Sequence, residues 1–290
     1  MTIGLEVPVF GPAGALKAIE LGASRIELNA TGSYPDGGLT PELADLHKIS
    51  HLDMPLRVMI RPRGPPKVTK DFIYTPREID QMQDSIRVFK ESGALKVERG
   101  DGFVFGVLKE DTILVEPMGS ETLEADSTRF GLLASRRVHR CLVDKEACTG
   151  LIEAARPFKV VFHRAYDEIV SRNDSDSTPS HPPSWESGLQ DLSACGFDGV
   201  LTSGGQGNAA QNITALQNII PRAGSLGVEV IVGGGVRQAN VSDLVEQLNL
   251  GPRHSTYVHS ACLTSTSKEE PDHGEIEGII AKLKDIQEKD

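Results

Sequence analysis

The feature that most constrains the fold is an eightfold alternation of short apolar runs with amphipathic stretches. In the amphipathic stretches apolar residues recur every three to four positions, which is typical of helices. Strands that alternate with helices form a parallel sheet, and eight such units close a (β/α)8 barrel. The predicted strands are Ile3–Val9, Arg25–Leu28, Leu56–Ile60, Gly102–Leu108, Lys159–His163, Gly199–Thr202, Val228–Val232 and Thr256–His259.

The helix starts support this alternation. Thr75, Pro76 and Glu78 predict an N-cap, a proline in the first turn and a capping-box glutamate. An open doubly wound sheet is the alternative, and it is disfavoured because no G-x-G-x-x-G motif follows the first strand. We therefore expect an α/β fold, with a single TIM-type barrel spanning residues 1–290. The predicted helices begin near Pro12, Pro41, Pro76, Asp144, Ser184, Asn208, Asn240 and Asp272.

Two segments interrupt the alternation, residues 110–140 and residues 170–184, and residues 264–290 form a predicted C-terminal helix and tail. The two segments follow the fourth and fifth predicted strands, and we interpret them as surface insertions. Residues 110–130 hold six acids and one arginine, and residues 264–290 hold eight acids and four lysines. Most of the net charge of −11 therefore lies outside the predicted barrel.

Composition narrows the function classes. The acid excess argues against nucleic-acid and anionic-membrane partners, because both require a basic surface. No apolar run is long enough to span a membrane, and the first residues lack a signal-peptide pattern, so we expect a cytoplasmic protein. Four cysteines without a C-x-x-C pair exclude a disulfide scaffold, and the helical spacing around Cys148 places it in the core. No organic cofactor is predicted.

Polar side chains concentrate at the ends of several predicted strands, where barrels of this type carry their chemistry. Because side chains alternate along a strand, Glu6 and Glu27 are expected to point into the barrel. The candidate catalytic residues are Glu6, Glu27, His163 and Asp167. The candidate substrate-binding residues are Arg25, Asn29, Arg61, Arg63, Arg164, Ser203, Gly204, Gly205, Gly234, Gly235, His259 and Ser260.

These residues have a functional and a structural interpretation. The arginines predict an anionic ligand, a carboxylate or a phosphate, which guanidinium groups bind in a bidentate manner. The glycines after the sixth and seventh strands predict backbone donors for a phosphate. In the alternative, the charges form an ionic network that only fills the barrel, and the glycines only make tight turns.

The order of motifs resembles the CutC copper homeostasis family. The motifs include Arg25–Leu28, Gly37–Pro41, Met59–Gly64, Phe162–Asp167 and Gly233–Val236. The resemblance also covers Phe103–Leu108 and Leu201–Gly205, so that it extends along nearly the whole chain. It implies a TIM-type barrel, a cytosolic role in copper tolerance and trafficking, and a homo-oligomer, either a dimer or a tetramer.

One departure from the family pattern bears on copper. Many members have a cysteine directly after the Arg25–Leu28 strand, proposed as a copper ligand, and this chain has Asn29 there. An amide is a poor ligand for Cu(I), which prefers thiolates and thioethers, so direct copper binding is doubtful. His259 and Cys262 are the remaining weak metal candidates. Three hypotheses stay open: copper handling, an enzyme that acts on a small anionic metabolite by acid/base chemistry, and an interaction scaffold.

Overall fold

Eight parallel strands close into a barrel in the computed structural model, which describes residues 3–115, 136–171, 183–251, 257–265, 267 and 269–287. The strands are β1 (Gly4–Phe10), β2 (Arg25–Asn29), β3 (Leu56–Met59), β4 (Gly102–Phe105), β5 (Leu108–Val115), β6 (Arg136–Val143), β7 (Lys159–Phe162), β8 (Gly199–Thr202), β9 (Glu229–Val232) and β10 (Tyr257–His259). The barrel order is β1-β2-β3-β4-β7-β8-β9-β10, with β10 pairing back to β1. The predicted TIM-type barrel is confirmed.

Helices connect the barrel strands. They are α1 (Pro12–Glu20), α2 (Leu43–Ile49), α3 (Pro76–Glu91), α4 (Lys145–Ala155), α5 (Ala165–Val170), α6 (Ser184–Cys195), α7 (Ile213–Ser225), α8 (Val241–Gln247) and α9 (His273–Gln287). The capping box of Thr75 and Glu78 is present at the start of α3, as predicted. The start predicted at Pro41 is wrong by two residues, because Glu42 is the N-cap of α2. Asn208 caps a short 3-10 helix ahead of α7, and α5 is an additional helix that was not predicted.

The segment after β4 contains a β-hairpin. The fourth predicted strand, Gly102–Leu108, is too long, since the barrel strand ends at Phe105 and Leu108 begins β5. β5 and β6 pair antiparallel from Leu108–Val143 to Val115–Arg136. Residues 116–135 of the first predicted insertion and 172–182 of the second lie outside the described residues.

Apolar side chains fill one side of the barrel interior. Met59, Val104, Val161, Leu201 and Ile231 form this inner apolar cluster. The main core lies between strands and helices, and it includes Cys148 as predicted. Within the described part of the chain, no helix is both long and apolar enough to cross a membrane.

Candidate functional site

A cavity of about 580 Å³ opens at the carboxyl ends of the barrel strands. This is the face that carries the active site in TIM-barrel enzymes, and the volume suits a small metabolite. The predicted site residues that line it are Glu27, Asn29, Arg61, His163, Arg164, Asp167, Gly205, Gly234, Gly235, His259 and Ser260.

Glu6 and Arg25 form a buried ion pair beneath the cavity floor. Arg25 also reaches Glu229 at 3.2 Å and stacks on the Tyr257 ring. The other carboxylate oxygen of Glu6 lies 2.7 Å from Nδ1 of His259. Burial alone would raise the pKa of Glu6. The charges of Arg25 and His259 outweigh this effect and lower the pKa of Glu6 to about 2. Glu6 is therefore a fixed negative charge that orients the His259 ring.

Glu27 forms no salt bridge among the described residues, unlike Glu6. Its side chain is buried, its Oε1 accepts a hydrogen bond from Asn29 Nδ2 at 3.2 Å, and its Oε2 has no partner among the described residues. Burial and the neighbouring charge of Glu6 raise the pKa of Glu27, against the opposing effects of His259 and Asn29. A cavity-lining carboxylate with a raised pKa accepts a proton more readily than an ordinary glutamate does.

His259 completes this wall of the cavity. An oxygen of Glu27, an oxygen of Glu6 and a ring nitrogen of His259 all lie within 4.8 Å of one another. Burial would lower the pKa of His259, but the bond to Glu6 and the two carboxylate charges raise it. Since Glu6 lies next to Nδ1, the Nε2 atom is the one left for a ligand or a proton transfer.

His163 is a neutral imidazole on the same cavity. Burial and the charge of Arg61 lower its pKa to about 3. The backbone N–H of Ala165 donates to Nδ1 at 3.3 Å, so the ring proton belongs on Nε2. That Nε2 is buried and has no acceptor among the described residues.

Asp167 organises the loop that follows β8. Its carboxylate accepts hydrogen bonds from Thr202 Oγ1, Ser203 Oγ and Arg164 Nε at 2.5, 2.9 and 2.7 Å, and also from the backbone of Ser203 and Gly205. Both oxygens are therefore occupied. This places Asp167 as a support for Arg164, which also donates to Ser203 Oγ at 2.7 Å.

The glycine loop after β9 provides unpaired donors at the cavity edge. Gly234 and Gly235 have φ values of 84° and 76°, which are costly for other residues. Their backbone N–H groups have no acceptor in the described part of the chain. A Cβ on Gly234 would lie 2.7 Å from the Ser203 side chain and 3.4 Å from the Arg164 guanidinium, which shows how closely the two glycine loops approach.

Arg237 was missed by the sequence analysis. It lines the cavity, its Nη1 donates to Val236 O at 2.8 Å and to Ser260 Oγ at 3.3 Å, and no described carboxylate pairs with it. Its position directly after the predicted glycine loop was the available signal. Asp71, which pairs with Arg61 at 2.8 Å, had no such signal because it lies in the long connection between β3 and α3.

Six predicted residues lie outside the cavity lining. Glu6 and Arg25 lie beneath it, and Ser203 and Gly204 belong to the loop that Asp167 supports without lining the cavity. Arg63 Nε forms a salt bridge with Glu78 Oε1 at 2.6 Å, and the Arg63 guanidinium stacks on the Tyr74 ring. Cys262 is buried, and its Sγ contacts Ser260 O at 3.5 Å.

The donor set does not suit Cu(I). No cysteine lines the cavity, and among the described residues the cluster of three potential metal ligands is Glu6, Glu27 and His259. Burial raises the pKa of the Cys262 thiol to about 11, so it stays protonated at neutral pH. Cu(I) prefers thiolate or thioether sulfur, and among the described residues only Met59 provides sulfur to the cavity wall.

Comparison with known proteins decides the family. The model of the CutC family matches residues 3–125 and 122–260. The chain belongs to the CutC family. A human copper homeostasis protein cutC homolog is 32% identical over 243 residues, which cover 83% of this chain and 68% of the relative. A CutC family protein of Treponema denticola is 29% identical over 255 residues, which cover 87% and 80% of the two chains.

A crystal structure of a CutC protein from Streptococcus agalactiae matches the fold. Its TM-score is 0.63 at 21% identity, over 89% of this chain and 98% of the other. At this identity the likeness supports the barrel alone. The CutC family assignment and the barrel that the sequence predicted therefore agree.

Proposed function

We propose that this CutC family chain is an enzyme-type barrel that binds a small anionic metabolite and transfers a proton within the cavity. The observation that carries the proposal is the Glu27 carboxyl, which is buried, lines the cavity and has an oxygen without a partner among the described residues. Buried polar atoms are nearly always satisfied, and an exception at a cavity points to a ligand or a transferable proton.

The cavity edge formed by the segments after β7 and β9 suits the anion. Among the described residues, Arg237 has no carboxylate partner and the Gly234 and Gly235 N–H groups have no acceptor, and Arg164 lies against Gly234. Backbone amides and guanidinium groups together favour phosphate over a neutral ligand. A phosphate or carboxylate here would leave the rest of the molecule facing Glu27 and His259.

The acid/base step can be tested without knowing the physiological substrate. The protein is incubated in D2O with dihydroxyacetone phosphate or ribulose 5-phosphate as probes, and carbon-bound deuterium is measured by NMR. We expect exchange with the wild-type protein and its loss in Glu27→Gln, whereas Glu153→Gln, at an exposed position on α4, leaves it unchanged. Equal exchange in wild type and Glu27→Gln would exclude Glu27 as the proton carrier.

Copper handling, the function for which the human relative is named, is the second candidate. We propose that any such role of this chain is indirect, because the cavity presents carboxylates and imidazoles in place of thiolates. A cytosolic location and a homo-oligomer, dimer or tetramer, stay predictions. Light scattering of the purified protein would test the oligomeric state.

A further inference from the structure

The surroundings of His163 hold its ring in one orientation and one protonation state. A Cβ at Gly106 would lie 2.7 Å from Nδ1 and 2.8 Å from Cε1, so glycine is what leaves room for the ring there. The Phe72 ring covers the imidazole with centroids 4.7 Å apart. Phe72 itself has a φ of 63°, a strained conformation for a bulky residue. Backbone strain of this kind tends to occur at functional sites.

One hydrogen bond and one nearby charge keep the ring neutral with its proton on Nε2. The N–H of Ala165 donates to Nδ1, and Ala165 is the first residue of α5. The positive charge of Arg61 lowers the pKa of the ring, and the Arg61 guanidinium lies over Phe72 at 5.1 Å from the ring centroid. A proton on Nδ1 would meet the Ala165 N–H, so protonation of the ring is opposed by geometry as well as by charge.

Resting on the proposed function of the same cavity, we propose that His163 acts as a neutral hydrogen-bond donor to an oxyanion, and that the substrate class is a phosphorylated α-hydroxycarbonyl compound. The buried His163 Nε2–H has no acceptor among the described residues, and leaving such a donor unpaired destabilises the free protein. A substrate oxygen beside it would accept this hydrogen bond. Neutral imidazole is an effective partner for an enolate oxygen, since a preorganised donor stabilises charge as it forms.

The step balances without a co-reactant. The Glu27 carboxylate takes the proton from the carbon next to the carbonyl, and the C–H electron pair becomes the carbon–carbon double bond. The carbonyl π pair moves to the oxygen, whose negative charge accepts the hydrogen bond from His163 Nε2–H. Return of the proton from Glu27 to carbon restores the carbonyl. The phosphate stays at Arg164, Arg237 and the Gly234–Gly235 loop throughout.

Two probes separate this inference from the proposed function. Inorganic phosphate tests the anion edge alone, whereas 2-phosphoglycolate adds a planar carboxylate that resembles an enediolate. Calorimetry on the wild-type protein should show tighter binding of 2-phosphoglycolate. His163→Leu should weaken 2-phosphoglycolate about tenfold or more and leave inorganic phosphate within about twofold, since one hydrogen bond to a charged group is lost. His163→Gln, which keeps an N–H donor, should recover part of the affinity.

The ring itself provides a measurement that does not depend on any variant folding. In 15N NMR of the histidine-labelled wild-type protein, His163 should keep a protonated Nε2 and an unprotonated Nδ1 across the neutral pH range. Titration of His163 in that range would overturn the inference, as would equal 2-phosphoglycolate affinity in wild type and a folded His163→Leu. Failure of wild type to bind either probe would overturn the proposed function and this inference with it.

Discussion

Opposite stability effects are expected from one isosteric change at two neighbouring positions, Glu6→Gln and Glu27→Gln. The folded protein holds the pKa of Glu6 at about 2, against an ordinary value of 4.5. Each pKa unit corresponds to about 1.4 kcal/mol, so the ionised Glu6 stabilises the fold by about 3 kcal/mol. Glutamine at position 6 leaves the buried Arg25 guanidinium with Glu229 as its one negatively charged partner among the described residues. We expect a loss of about 3–5 kcal/mol, the usual cost of breaking a buried pair.

Glu27→Gln should change the free energy of unfolding in the opposite direction. The ionised form of Glu27 is disfavoured in the fold, and its Oε2 is unsatisfied among the described residues, so removing the charge should stabilise the protein by about 1–2 kcal/mol. The glutamine oxygen can still accept the bond from Asn29 Nδ2. Each variant is therefore the matched control of the other, because both replace a buried carboxylate by an amide of the same shape.

The assay is urea unfolding followed by circular dichroism near neutral pH, with thermal midpoints as a second measure. The pH dependence supplies a further check on Glu6. The pKa of Glu6 is lowered in the folded protein. Ionised Glu6 therefore contributes fully to the free energy of unfolding above about pH 4.5, and this contribution declines as the pH falls toward about 2. The gap between wild type and Glu6→Gln should narrow across the same range. Equal stability of Glu6→Gln and wild type, or a destabilised Glu27→Gln, would refute the assignment of the paired and the unpaired carboxyl.

Three further outcomes are expected. Anaerobic Cu(I) titration against a competing chelator should show no tight stoichiometric site. One equivalent of tightly bound copper would contradict the conclusion that the cavity residues do not suit Cu(I). Gly106→Ala should displace the His163 ring and weaken 2-phosphoglycolate binding in calorimetry about tenfold, whereas Gly251→Ala, with open space around it, should not. Thr75→Ala should lower the free energy of unfolding by about 1 kcal/mol through loss of the α3 capping box, and Thr75→Ser should restore it.

The barrel and the composition of the site could be predicted because both follow from local patterns. Each barrel strand is a short apolar run, and polar residues at strand ends converge on one face in any barrel of this type. The β5–β6 hairpin could not be predicted in the same way, because its pairing is set by a partner strand beyond residues 116–135. Arg237 could have been predicted from the same pattern, since it directly follows the predicted glycine loop Gly233–Val236.

The roles within the site depend on strand register, which no local pattern reports. In the β1–β2 pair Glu6 is opposite Arg25, whereas Glu27 is opposite Pro8, whose ring offers no partner for a carboxylate. A shift of two residues would place Glu27 beside a different neighbour on β1 and leave Arg25 without Glu6. A sequence without register therefore leaves the ionic network and the functional pocket as alternatives, whereas the structure has a buried ion pair and a polar-lined cavity at different depths of one barrel. The network of Arg25, Glu6 and Glu229 fills the floor, and its fixed negative charge next to His259 helps to raise the pKa of Glu27 directly above it. Under the proposed function, the filled floor is thus part of what would suit the cavity above it to proton transfer.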